Sequence, residues 1–175
     1  MNSDAITTST EDCPVLLCGQ IKLDVLQNVL SCYGLKVISI DDTADIPGSF
    51  WQAPEAGLIQ DRLYVRADTP VHSALHEACH YICMDQQRRD AVHTDAGGGY
   101  AEEDAVCYLQ ILLADQIPQM QRARMFSDMD AWGYSFRLGS ARAWFEQDAA
   151  DAVLWLIQHC IIDSEHKPTG GLRID

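Results

Sequence analysis

Thr69-Pro70-Val71-His72-Ser73-Ala74-Leu75-His76-Glu77-Ala78-Cys79-His80-Tyr81-Ile82-Cys83-Met84 is the stretch on which the reading of this chain turns. Threonine then proline is a helix start, with Thr69 as N-cap and Pro70 at the first helical position, where its missing N–H costs nothing. The spacing predicts a helix running to about Met84. On it His76 and His80 stand at i and i+4, one above the other, so two imidazole nitrogens can meet one ion. Glu77 is rotated by about 100° from His76, which puts its carboxylate beside such an ion rather than on it. Two neutral imidazoles suit zinc, and an adjacent carboxylate is where a general base for a zinc-bound water belongs, so the segment points to a Zn2+-dependent hydrolase with Glu77 as base.

Upstream, Gly57–Gln60 and Leu63–Arg66 flank Asp61-Arg62 and predict a hairpin, with Leu63 and Val65 inward and Tyr64 and Arg66 outward. Leu35–Ile40 is short and rich in branched residues, as a buried strand would be. Before it, Ile21, Val25, Leu26, Val29, Leu30 and Tyr33 recur at helical spacing and Gly34 stands where a C-cap would. Residues 1–14 are polar and aperiodic and predict a loose arm.

Downstream, the polar stretch Asp85–Tyr100, with Gly97, Gly98 and Gly99, predicts a connecting loop, and a second helix is expected over Ala101–Ile117, stopped by Pro118. Residues 119–130 and 141–160 predict further helices, joined through Trp132-Gly133 and Leu138-Gly139, and 166–175 a tail. The expectation is one α+β domain over 1–175: a catalytic core (15–118) in which a small antiparallel or mixed sheet packs on the His76–His80 helix and the helix after it, followed by C-terminal helices (119–165).

Composition limits the partners. The net charge of -14 opposes nucleic acid and anionic membrane, either of which would meet repulsion. No apolar run approaches the roughly 20 residues of a membrane span, and the first residues lack a signal-peptide profile. Seven cysteines, odd in number and without a CxxC, fit buried thiols in a reducing compartment, so the expected location is the cytoplasm.

A catalytic zinc needs a third protein ligand. A histidine six residues past His80 is ruled out, because Gln86 stands there. The acidic run Glu102-Glu103-Asp104, opening the next helix after a loop long enough to reverse the chain, offers the alternative. The helix dipole would also favour such a run.

GLIQDRLYVRADTPVHSALHEACHYIC, followed by AEEDAVCYLQILLADQIP, resembles the ImmA/IrrE group of small gluzincin metallopeptidases over residues 57–118. The resemblance implies a zincin-like fold, a peptide or protein substrate, and a third ligand three positions before a helical alanine. With Ala105 as that alanine the ligand is Glu102, and Glu103 is the fallback. Ala78-Cys79 replaces the family's usual Leu-Gly. Val106 replaces a polar partner for a histidine, leaving Asp104 or Asp95 to substitute. His93 or Tyr100 would polarise the substrate carbonyl.

His72, one turn before His76, could line the cleft. Cys79 and Cys83 read as core, the tryptophans as core anchors, and Trp132-Gly133-Tyr134 as a possible groove rim. Three functions stay open: a zinc metallopeptidase, a zinc amidohydrolase acting on another amide, and a catalytically silent metal-binding or interaction protein on the same scaffold. Oligomeric state is not legible.

Overall fold

The computed structural model describes residues 15–175, so the arm expected over 1–14 lies outside the described residues. It is a mixed α+β structure with these elements in order: α1 (Leu23–Ser31), β1 (Lys36–Ser39), β2 (Gly57–Ile59), β3 (Arg62–Val65), α2 (Val71–Cys83), α3 (Gln86–Ala91), α4 (Tyr100–Ala114), α5 (Gln121–Trp132), α6 (Ala141–Gln147) and α7 (Ala150–Gln158).

The sheet is mixed, in the order β1-β3-β2: β1 runs parallel to β3, and β2 antiparallel to it. Residues 40–56 carry the chain from one edge strand to the other. The hairpin turn is Gln60-Asp61, one residue earlier than expected, with Gln60 in the left-handed region at φ 50°. The expected alternation holds, since Leu63 and Val65 are buried and Tyr64 and Arg66 are partly exposed. Gly57 is required by close approach: a Cβ there would run into the Pro47 carbonyl and the Ser49 amide.

Helix α2 lies at the centre, packed on β2 and β3 on one side and on α4 and α5 on the other. Val71, Ala74, Leu75, Ala78, Cys79, Ile82 and Cys83 are all fully buried, so nearly the whole circumference is core. His76 and Glu77 are partly exposed, into the cleft described below. One apolar cluster runs through the described residues from Leu16 to Ile162.

Further expectations change: β1 is a partly exposed edge strand rather than a buried one, and Trp51 and Trp132 are exposed rather than core anchors. Thr69 does not cap α2: Pro70 occupies the N-cap position, and the Thr69 hydroxyl accepts from the Arg66 amide at 2.9 Å. The 85–100 loop contains α3, whose N-terminus is capped by Asp85 accepting from the Arg88 amide. The helix expected over 141–160 is two helices, because Arg137 takes both the Asp148 carboxylate (2.6 Å) and its main-chain carbonyl (3.2 Å), and the chain turns there. Residues 166–175 do not trail away: the Arg173 amide donates to Ile82 at the end of α2, and the Ile174 amide to His159.

Candidate metal centre

His76 and His80 meet edge to face on α2 with their Nε2 atoms 3.1 Å apart, and Glu103 of α4 brings Oε2 to 3.6 Å from His80 Nε2. Donor atoms of this His76–His80–Glu103 group all lie within 4.8 Å of one another, so it could hold a metal ion. A tetrahedral ion bound at about 2.0–2.1 Å sets its donors ~3.3 Å apart, and the two observed separations bracket that value.

Each donor is oriented by its surroundings. His76 Nδ1 lies 2.7 Å from Gln110 Oε1, an acceptor, so the proton belongs on Nδ1 and the Nε2 lone pair faces inward. Gln110 is itself fully buried in α4, with its amide 3.6 Å from Met125 Sδ. The Gly98 amide donates to Glu103 Oε1 at 2.8 Å, which leaves Oε2 for the ion. His80 Nδ1 is buried without a hydrogen-bond partner among the described residues. Burial pushes the His76 pKa down, against the pull of Gln110 and Glu103, and pushes that of His80 well below its ordinary value, with His76 and Arg88 adding to the effect. Both rings are therefore neutral near pH 7, the form that binds metal.

Glu102, the ligand expected from the register with Ala105, is turned away. Its carboxylate is buried and receives Arg88 Nη1 at 2.7 and 2.9 Å and Arg173 Nη1 at 3.4 Å. The reason is helical phase. Glu103, Cys107 and Gln110 form the i, i+4, i+7 stripe that faces the histidines, whereas Glu102 is about 100° away, on the side of α3 and the C-terminal segment.

The group sits at the base of a cleft of about 580 Å³. Glu77 lines it beside the histidines. Burial, then the nearby Glu55, Glu103 and Asp95, push its carboxyl pKa up to about 8. Phe50, Trp51 and Glu55 come from the long 40–56 connection, and Trp132, Gly133 and Tyr134 from the end of α5, so this last trio does rim the groove. The Tyr134 ring meets the His76 ring edge-on at 5.6 Å.

Other expected residues lie elsewhere. His93 is exposed, is held by Thr94 Oγ1 at 2.8 Å and lines a separate hollow of about 220 Å³. Tyr100 and Asp104 line a third hollow with Arg137 and Trp144. Asp95 does reach the cleft, but its Oδ1 accepts from the Gly97 amide, and Gln110 takes the histidine-orienting role expected of Asp95 or Asp104. His72 is fully buried behind Trp132 and Tyr134, at ring distances of 5.1 and 5.6 Å, and does not line the cleft. Sequence reasoning missed Gln110, Arg88 and Glu55. Only Gln110 left a signal, as the single polar residue in the otherwise apolar run Val106–Ala114.

The six described cysteines are free, and no helix of the described residues is long and apolar enough to cross a membrane. Comparison of the chain with protein-family models, curated proteins and solved structures gives no match.

Proposed function

We propose that this chain is a zinc-dependent metallopeptidase with a zincin-like catalytic core, acting in the cytoplasm on a peptide or protein substrate. The observation that carries the reading is the convergence of His76, His80 and Glu103, with Glu77 beside them, at the base of one cleft. The resemblance to the ImmA/IrrE group over 57–118 agrees with it, once the third ligand is moved to Glu103. Two nitrogens and one carboxylate oxygen are a donor set that zinc accepts while keeping a position for water.

Zinc bound there would polarise the scissile carbonyl and acidify a water. The rest falls to the chain. A dication beside Glu77 would pull its burial-raised pKa back down, and its carboxylate takes a proton from the attacking water and returns it to the leaving amine as the C–N bond breaks, so a carboxylic acid and an amine are released. Gln110 holds the His76 ring in the tautomer that presents Nε2. The 40–56 connection and the end of α5 line two sides of the cleft where a substrate would lie.

The test is hydrolysis of a mixed-sequence peptide library by zinc-loaded protein beside Glu77→Gln, with fragments read by mass spectrometry. The proposal expects cleavage by wild type and a loss of at least a hundredfold in the variant with zinc content unchanged. Stoichiometric zinc with no hydrolysis would leave only a metal-binding role.

A further inference from the structure

Four carboxylates line the cleft, from Glu55, Glu77, Asp95 and Glu103, and no lysine or arginine does. Two of these, Glu77 and Glu103, belong to the proposed centre, so the carboxylates left to face a bound peptide with a divalent ion in place are Glu55 and Asp95. None of the ion pairs among the described residues includes Glu55, Glu77 or Asp95.

Glu55 differs from the others in position. It arises from the 40–56 connection, next to Ala56, whose amide donates to Ser73 Oγ of α2 at 3.0 Å, and takes one hydrogen bond, from Trp132 Nε1 to Oε1 at 3.3 Å. Oε2 receives none among the described residues. Three exposed aromatic side chains share the cleft with Glu55: Trp132, its hydrogen-bond donor, Trp51 (72% exposed), and Phe50, packed edge-to-face on Trp51 at 5.0 Å. Aromatic faces beside a half-buried carboxylate suit a guanidinium, which stacks on rings and pairs with carboxylates through its fork of N–H donors. An apolar side chain would fit the rings but would desolvate Glu55 without a partner.

We infer that the cleft selects peptides carrying a basic side chain, arginine before lysine, beside the cleaved bond, with Glu55 as the specificity-determining carboxylate and Trp51 and Trp132 as its walls. This rests on the metallopeptidase reading for the word "cleaved", and on the cleft alone for the word "basic".

The experiment uses two peptides that differ only in arginine or citrulline, its neutral isostere, at one position. Binding to zinc-loaded Glu77→Gln protein is followed by calorimetry, and hydrolysis by wild type by mass spectrometry. The arginine peptide is expected to bind and to be cleaved roughly ten- to hundredfold better, the range of one charge-assisted pair. Glu55→Gln is expected to collapse that ratio, and the exposed Trp51→Ala to narrow it. Equal binding of the two peptides, no binding at millimolar concentration, or an Arg/citrulline ratio unchanged by Glu55→Gln in folded, zinc-loaded protein would overturn the inference. Arginine-selective binding without hydrolysis of either peptide supports the subsite and defeats the peptidase reading instead.

Discussion

In the first turn of α4, two adjacent glutamates meet opposite surroundings. Glu103 faces neutral imidazoles and one backbone amide, while Glu102 is closed in by two guanidinium groups. A metal ligand must leave an oxygen open to the ion, and only Glu103 does. Behind it, Gln110→Leu should remove the acceptor that fixes His76 and weaken zinc binding about 10- to 100-fold, measurable by chelator competition, with the fold retained.

His72 makes a separate prediction at the same scale. Both of its ring nitrogens are buried without a hydrogen-bond partner among the described residues, and burial, then His76, push its pKa down to about 3. The folded protein holds this ring neutral while the unfolded chain protonates it below about pH 6.5. Its contribution is therefore present above pH 6.5 and lost as pH falls toward 3, by about 1.4 kcal/mol per unit. His72→Leu should raise stability by about 1–3 kcal/mol at pH 7 and flatten the acid side of the profile, read as urea midpoints between pH 7 and 4. An unchanged acid slope would count against the buried neutral ring.

Among the elements, α2 was legible because its chemistry and its apolar positions share one period. The hairpin before it was legible because Leu63 and Val65 alternate with polar neighbours. Helix α3 was not: Gln86-Gln87-Arg88-Arg89 has no apolar period, and only the Asp85 cap, a local hydrogen bond, starts it. The break between α6 and α7 was hidden for the converse reason, since apolar spacing continues across Asp148 while Arg137, eleven residues earlier, captures its carbonyl. The choice between Glu102 and Glu103 turned on 100° of phase, which two neighbouring acids in a helical first turn cannot reveal by themselves.

The C-terminal segment is part of the centre's support. Arg173 reaches the Cys83 carbonyl at 3.4 Å and Glu102 at 3.4 Å, and lies over the Trp155 ring, 5.5 Å from its centroid. It thereby joins the end of α2 to the start of α4. Arg88 does the same for the loop before α4, donating to the Ala96 and Gly97 carbonyls at 3.0 and 2.9 Å. Arg88→Ala should cost roughly 2 kcal/mol, or about 4–8 °C in unfolding temperature, and should loosen zinc binding although Arg88 touches no ligand atom. Thermal unfolding and chelator competition on the same sample check both parts.

At the scale of the molecule, a central helix buried nearly all round holds two histidines rigidly, and the acid that completes the group comes from the helix packed against it. Metal bound to the folded state alone should stabilise the whole domain, by about 2.7 kcal/mol at a hundredfold excess over Kd. Chelation should lower the unfolding temperature by about 5–10 °C, and restored zinc should recover it. A small sheet, the central helix and the placing of His76, Glu77 and His80 on that helix were readable from spacing, while the parallel pairing that makes the sheet mixed was not. The turning of Glu103 rather than Glu102 toward the histidines, the ion pairs of Glu102 and the acidic aromatic cleft depended on segments far apart in sequence: residues 50–55, 88, 132–134 and 173.

The most direct test is zinc content, by elemental mass spectrometry after dialysis at neutral pH, of wild type beside Glu103→Ala and Glu102→Gln. The His76–His80–Glu103 centre predicts one zinc per chain in wild type and Glu102→Gln, and little or none in Glu103→Ala. No stoichiometric zinc in wild type, or loss in Glu102→Gln with retention in Glu103→Ala, would contradict it.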